Sequence, residues 1–170
     1  TNSTGSYNVG LGAYSLNSNT TASNNTAVGY QSLYSTTTGA YNTAIGYQAL
    51  QNNTASNNTA VGSNAGQNNS TGRISAFGAY ALYQNTTGAS NSAFGGNDGN
   101  VAAALQANTT GASNTAVGAF ALQQNTTSSN NTAVGYQAGY TNTTSSGMTS
   151  VGFQAGYTSN ANNNSFFGYQ

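Results

Sequence analysis

The sequence predicts an all-β protein: a parallel β-solenoid (a β-roll or β-helix) of about ten coils of 16–17 residues. Three observations predict this fold. A unit of the N-T-A-V-G type recurs along the chain, and its Gly returns every 16 or 17 residues, with one interval of 23. The T-A-V-G-Y segment alternates with the period of two that is typical of a strand. Gly, Asn and Thr recur every few residues without the 3.6-residue apolar stripe of a helix. Residues 1–170 therefore form a single repeat solenoid.

Each position of the unit becomes a column when the units are aligned on this Gly. Four residues before the Gly, most units have Asn, which predicts an Asn ladder of Asn8, Asn25, Asn42, Asn58, Asn91, Asn114, Asn131 and Asn164. Thr or Ser follows, and then a small residue, usually Ala. Directly before the Gly stands a large apolar residue, which predicts a core-facing ladder of Leu11, Val28, Ile45, Val61, Phe77, Phe94, Val117, Val134, Val151 and Phe167.

The second half of the unit follows the Gly. A Y-Q-A-L segment brings another apolar residue before a polar N-T-T-G turn. The aromatic residues directly after the Gly have two interpretations, a seam between chains or a cover for the edge of their own solenoid; they are Tyr30, Tyr47, Tyr136, Phe153 and Tyr169. The 23-residue interval predicts an inserted loop over 96–101.

Composition limits the chemistry of this chain. It has one cation, Arg73, and one anion, Asp98, and no Lys, Glu, His, Cys, Trp or Pro. Asp98 is thus the only candidate for a general base, transition-metal sites need His or Cys, and nucleic-acid binding needs many Lys and Arg residues where this chain has one Arg. No apolar run of about 18 residues occurs. The sequence therefore predicts a protein that is not an enzyme, with no catalytic residues, metal ligands, cofactor, nucleic-acid partner or membrane span.

A single coil is too thin to be stable by itself. Two large apolar side chains contribute about 3–6 kcal/mol of burial, whereas ordering the backbone costs about 1–2 kcal/mol for each residue of the coil. Stacking on neighbouring coils must supply the difference. Neither terminal unit carries the charge or Pro of a cap, so we expect either a window of a longer fibre or head-to-tail stacking of copies, in which the chain's partner is itself.

The N-T-A-V-G-Y-Q-A-L and N-T-T-G array, which covers essentially the whole chain, resembles the Asn/Thr/Gly-rich repeats of phage-type tail fibres and surface fibres. Its N-x-A-V/I-G core is similar to the head repeats of trimeric autotransporter adhesins. The resemblance implies a left-handed parallel β-roll assembled as a trimer. The period is longer than in the adhesin repeats, and we expect neither the stalk nor the membrane anchor of those adhesins.

These features favour a structural repeat protein, the body of an extracellular fibre or filament at a cell or virion surface. The alternative is a trimeric tail-fibre or adhesin segment that binds surface glycans or a host surface through rows of Tyr, Asn and Gln. A less favoured third interpretation is ice binding through the Thr column. Sequons within N-T-T turns give four candidate glycosylation sites, Asn85, Asn108, Asn125 and Asn142.

Overall fold

The chain folds into one parallel sheet of ten strands, each hydrogen-bonded to the next in sequence order. A computed structural model describes residues 4–96 and 102–169. Each strand has three or four residues: β1 (Val9–Leu11), β2 (Thr26–Val28), β3 (Thr43–Ile45), β4 (Thr59–Val61), β5 (Ile74–Phe77), β6 (Asn91–Phe94), β7 (Thr115–Val117), β8 (Thr132–Val134), β9 (Thr149–Val151) and β10 (Ser165–Phe167). This architecture confirms the predicted parallel β-solenoid. Within the described residues, no helix has the length and apolar character needed to cross a membrane.

The register between strands places like residues side by side. Between β2 and β3, for example, Ala27 lies opposite Ala44 and Val28 lies opposite Ile45. The 23-residue interval does not disturb this register, because Ala93 of β6 still lies opposite Ala116 of β7. Residues 97–101 of the predicted inserted loop lie outside the described residues.

The other half of each coil is a run of tight turns. In the third coil, Ala49 N–H donates to Gly46 O at 3.4 Å and Gln51 N–H donates to Gln48 O at 3.3 Å. Gln48 and Leu50 have φ values of 53° and 50°, in the left-handed region. A left-handed conformation costs about 1–2 kcal/mol for a residue with a side chain. At Leu50 this cost is offset because the turn points the side chain into the core, where burial contributes about 2 kcal/mol.

The core consists of two inward columns and differs from the sequence prediction. One is the small residue of each strand, such as Ala44; the other is the leucine of the turn, such as Leu50; both are fully buried. The ten residues predicted to form the core-facing ladder are not buried, and that prediction was wrong: Ile45 is 40% exposed and Phe94 is 42% exposed. In a strand, neighbouring side chains point to opposite faces, so when Ala faces inward the residue after it faces outward.

Three coils have Gly in place of the turn leucine, and the following coil fills the space. A Cβ at Gly66 would lie 2.6 Å from Ile74 Cδ1, and a Cβ at Gly156 would lie 2.7 Å from Phe166 Cδ2. At Gly139 the group that fills the space is the Met148 methyl. Each missing leucine is therefore compensated by a larger apolar residue one coil further on, at a column that elsewhere carries Asn or Ala.

Candidate assembly surface

The asparagines predicted to form a ladder lie inside the solenoid, and we call this column the first Asn ladder. Asn25 Oδ1 accepts a hydrogen bond from the backbone N–H of Asn42 at 2.8 Å, and Asn25 Nδ2 donates to Gly39 O at 2.9 Å. The pattern repeats along the ladder, up to Met148 N–H donating to Asn131 Oδ1 at 2.9 Å. The interior members are buried, while Asn8 and Asn164 at the two ends are half-buried. Each side chain thus bonds its own coil to the next.

A second Asn ladder runs along the corner after the turn leucines, and sequence reasoning missed it. Asn108 Nδ2 donates to Asn85 Oδ1 at 2.7 Å, and Asn125 Nδ2 donates to Asn108 Oδ1 at 2.8 Å. The amide also closes its own turn, as when Asn108 Nδ2 donates to Gly111 O at 2.9 Å. The members of this ladder are Asn19, Asn53, Asn69, Asn85, Asn108, Asn125 and Asn142, all fully buried. The regular spacing of the N-T-T turns in the sequence is the pattern that could have predicted this second ladder.

This burial overturns the four candidate glycosylation sites. Asn85, Asn108, Asn125 and Asn142 each have a side-chain nitrogen that donates to the carbonyl of the residue three positions on, at 2.9–3.1 Å. A glycan on that nitrogen would replace a donor and require space in the core, where none exists. The sequon alone carries no information about whether its Asn faces in or out.

The outward residues of the sheet form a continuous apolar surface along the whole stack. We call the ten exposed or half-buried residues before the column Gly the outer apolar row, from Leu11 to Phe167. A row of Thr and Ser lies on one side of it, and the aromatic residues after the Gly lie on the other. At a strand spacing of about 4.8 Å, nine intervals give a row about 43 Å long. Monomeric proteins rarely expose an apolar patch of this extent.

Aromatic rings along this surface stack on one another. The ring centroids of Tyr30 and Tyr47 are 5.4 Å apart with an interplanar angle of 11°, and those of Phe153 and Tyr169 are 5.1 Å apart at 8°. Phe77 and Phe94 in the outer apolar row are 4.9 Å apart at 5°. Because the faces of these rings cover each other, a sugar ring has no space between them.

Both ends of the stack have open strand edges. Within the described residues, β1 pairs only with β2, and β10 pairs only with β9. Beside β10 lies a recess of about 640 Å³, lined by 155–159 of the preceding turn and by 165–169. Terminal residues of the outer apolar row are correspondingly more exposed, Leu11 by 66% and Phe167 by 75%. The recess and the edge mark the place where another coil would lie.

Ionic chemistry contributes little to these surfaces. Arg73 is exposed beside Asn57 and Ser90, and Asp98 lies outside the described residues. Within the described part of the chain, no group of three or more His, Cys, Asp or Glu residues is present to hold a metal ion. The arrangement offers repeated backbone, amide and apolar contacts. Comparison with protein families, curated proteins and solved structures found no match to this chain.

Proposed function

We propose that this chain is a non-enzymatic structural protein that forms the body of an extracellular fibre or filament by stacking coil on coil. The observation that carries the proposal is the set of contacts between neighbouring coils, which repeats along the described stack. The hydrogen bonds and apolar contacts that join two coils come from the repeated residues themselves. A further coil with the same sequence pattern can therefore extend the stack through the same contacts.

Three kinds of contact join each coil to its neighbour. Backbone bonds link the strands, as when Thr26 N–H donates to Asn42 O at 2.8 Å, and others link the turns, as when Leu33 N–H donates to Ala49 O at 3.1 Å. Both Asn ladders add side-chain bonds in the buried interior. The leucine column supplies the apolar contact. Because each coil buries its apolar atoms mainly against its neighbours, stability increases with stacking, as in other one-dimensional arrays.

The surface composition supports a structural role rather than a catalytic one. With one cation and one anion in the sequence, hydration depends on the amide and hydroxyl groups of Asn, Gln, Thr and Ser. A net charge near zero favours association over dispersion. Such a surface suits a long-lived polymer on a cell or virion.

Electron microscopy and fibre diffraction of the purified chain test this function. We expect rods or filaments, with a reflection near 4.8 Å along the rod axis because the strands lie across it. A chain that stays monomeric at every concentration up to its solubility limit would overturn the proposal. Rods that lack the axial 4.8 Å spacing would also overturn it.

The outer apolar row favours a second candidate, a tail-fibre or adhesin segment in which several copies lie side by side and bind surface glycans. Side-by-side packing would cover the exposed Val, Ile and Phe side chains. The mutual stacking of the aromatic rings leaves ring edges, amides and the outermost ring faces for a glycan. Light scattering that gives three copies in short rods, together with binding on a glycan array, would support this candidate over the filament.

A further inference from the structure

One coil interrupts the pattern of the outer face, and this coil carries the only cationic side chain of the sequence. Arg73 stands five residues before the column Gly, at the corner where the chain enters β5, and it is exposed. The same corner of the neighbouring coils carries Asn57 and Ser90, whose φ values are 65° and 60°. Arg73 has no such positive φ, and β5 begins one position earlier in its coil than β4 does. Arg73 therefore leads directly into its strand, without the left-handed residue that the neighbouring coils have there.

Arg73 shares a face of β5 with a hydroxyl group and an aromatic ring. Side chains two residues apart point to the same side of a strand. Arg73, Ser75 and Phe77 therefore lie along the outer face, and the two residues between them are buried. In β6, Ser92 lies opposite Ser75 and Phe94 lies opposite Phe77. Two adjacent strands thus present one guanidinium, two hydroxyl groups and two stacked rings.

Both hydroxyl residues are smaller than those of the other interior strands. Ser75 and Ser92 lack the methyl group of Thr, and they are neighbours in the sheet. Elsewhere from β2 to β9 the same column is Thr, as Thr26, Thr43, Thr59, Thr115, Thr132 and Thr149. Together with Arg73, the two serines line a recess of about 370 Å³, which we call the Arg73 recess. The column therefore changes from Thr to Ser at the two strands that border this recess.

The Arg73 recess has a buried floor and an open polar rim. Its other lining residues are Ile74 and Asn91, which are buried, and Asn57 and Ser90, which are exposed. Among residues 4–96 and 102–169, the guanidinium of Arg73 and the Oγ atoms of Ser75 and Ser92 have no hydrogen-bond or ion-pair partner. Their donors are therefore available to a ligand in the recess.

These groups match a carboxylate carried on a sugar ring. A guanidinium donates two parallel hydrogen bonds to a planar carboxylate, and it keeps its charge at every physiological pH. Serine hydroxyls both donate and accept, as sugar hydroxyls do. The exposed edges of Phe77 and Phe94 offer apolar contact to the C–H groups of the sugar. Arg73 is the one charged side chain among the described residues, so no described carboxylate competes for it.

We propose that the Arg73 recess binds a uronic-acid residue of an acidic polysaccharide, with the sugar carboxylate on Arg73. The volume of about 370 Å³ is near the lower end for ligand sites, which fits a short stretch of a sugar chain. The inference goes beyond the filament function, because one folded chain contains the whole recess, and it gives the glycan-binding candidate a ligand class. A single exposed ion pair contributes little affinity, so we expect a dissociation constant on the order of 1 mM for one site. A rod that carries one recess in every copy would bind a polymer more tightly.

Saturation-transfer NMR of the purified full chain with a short oligogalacturonate tests this site, since the method detects weak ligands of large assemblies. We expect saturable binding, and Arg73→Gln should lower the affinity about tenfold or more because the charge and the paired donors are lost together. Equal affinity of Arg73→Gln and the wild type would overturn the proposal. Sodium acetate, sodium sulfate and a neutral galactose oligomer of the same length are the competitors. Displacement by any of them at the concentration at which unlabelled oligogalacturonate displaces would overturn the assignment to an acidic sugar.

Two further variants separate the shape of the recess from simple charge. Ser75→Thr combined with Ser92→Thr restores the ordinary residue of the column and keeps Arg73; it should weaken binding about three- to tenfold because the added methyl groups narrow the recess. Tyr41→Arg in the Arg73→Gln chain moves the cation to the same corner of another coil, beside Thr43, and should not recover binding. Recovery there, or unchanged binding by the Thr variant, would mean general attraction to a cation and would contradict a built site. Circular dichroism checks that each variant keeps its fold.

Electron microscopy of the same samples keeps this test apart from that of the filament. Arg73 is exposed, and its side chain makes no bond to the described residues of neighbouring coils, so Arg73→Gln should assemble as the wild type does. Loss of binding with unchanged rods supports the site. Wild-type chains that bind the oligogalacturonate but form no rods would refute the filament function and leave the site standing.

Discussion

The compensation between Gly66 and Ile74 gives a quantitative test of how the core is built. Ile74 is 3% exposed and fills the space that a leucine occupies in other coils. Ile74→Asn removes that filling and is expected to cost about 2–4 kcal/mol of unfolding free energy, less about 1 kcal/mol for the ladder bonds that Asn makes. Gly66→Leu alone collides with Ile74 and is expected to cost about 1–3 kcal/mol, plus about 1 kcal/mol for the left-handed conformation.

Together the two changes recreate an ordinary coil. The leucine introduced at position 66 would fill the space, and the asparagine introduced at position 74 would continue the first Asn ladder between Asn58 and Asn91. We therefore expect the double variant to lie within about 1 kcal/mol of the wild type, whereas the two single losses would sum to about 5 kcal/mol, so the favourable coupling is about 4–5 kcal/mol. Denaturation by urea, followed by circular dichroism and tyrosine fluorescence, measures all four proteins of the cycle.

The matched control combines Gly66→Leu with Met148→Asn, two sites on different coils that share no partner. Their effects are expected to add to within about 0.5 kcal/mol. If Gly66→Leu and Ile74→Asn also add, Ile74 does not substitute for the missing leucine, and this description of the core is wrong.

Three further changes test other parts of the structure. Leu122→Ala is expected to cost about 2–5 kcal/mol of unfolding free energy, whereas Val117→Ala in the same coil is expected to cost about 1 kcal/mol or less because Val117 is exposed. Equal losses of unfolding free energy, measured in urea, would mean that Val117 is a core residue and would contradict the structure. Asn108→Asp buries a carboxyl group whose pKa is raised by loss of solvent. Because the folded state favours the neutral carboxyl group, the variant is most stable below the ordinary Asp pKa of about 4, and its unfolding free energy falls as the pH rises above that value. A melting temperature that increases with pH would contradict this. Gly135→Ala adds a Cβ that collides with Gly152 O, at a φ of 133° that side chains rarely adopt; expression as a folded, wild-type-like protein would show that the coils separate more easily than described.

The repeat made the fold predictable from the sequence. A constant interval requires equivalent coils, and the alternation within T-A-V-G-Y identifies one strand in each coil. The first Asn ladder also follows, because an Asn in the same column of nearly every coil is brought into register by stacking. A surface residue under no such constraint would vary from one coil to the next.

The inward face could not be assigned from hydrophobicity alone. Val28 is more apolar than Ala27, yet Ala27 is the residue that is buried, because it lies on the inward face of the strand, in one cluster with the turn leucines. The Asn column held the missing information: in Asn-Thr-Ala-Val, an inward Asn makes Ala inward and Val outward. Left-handed leucines such as Leu50 were also hidden, since nothing in Y-Q-A-L indicates a positive φ at a branched residue.

The continuity of the rungs in assembled material tests the central claim most directly. Cryo-electron microscopy with averaging along the rods should show rungs about 4.8 Å apart that continue without a break from the coils of one copy into the coils of the next. Rods in which the ladder of rungs is interrupted between copies, and copies touch only through the outer apolar row, would contradict it.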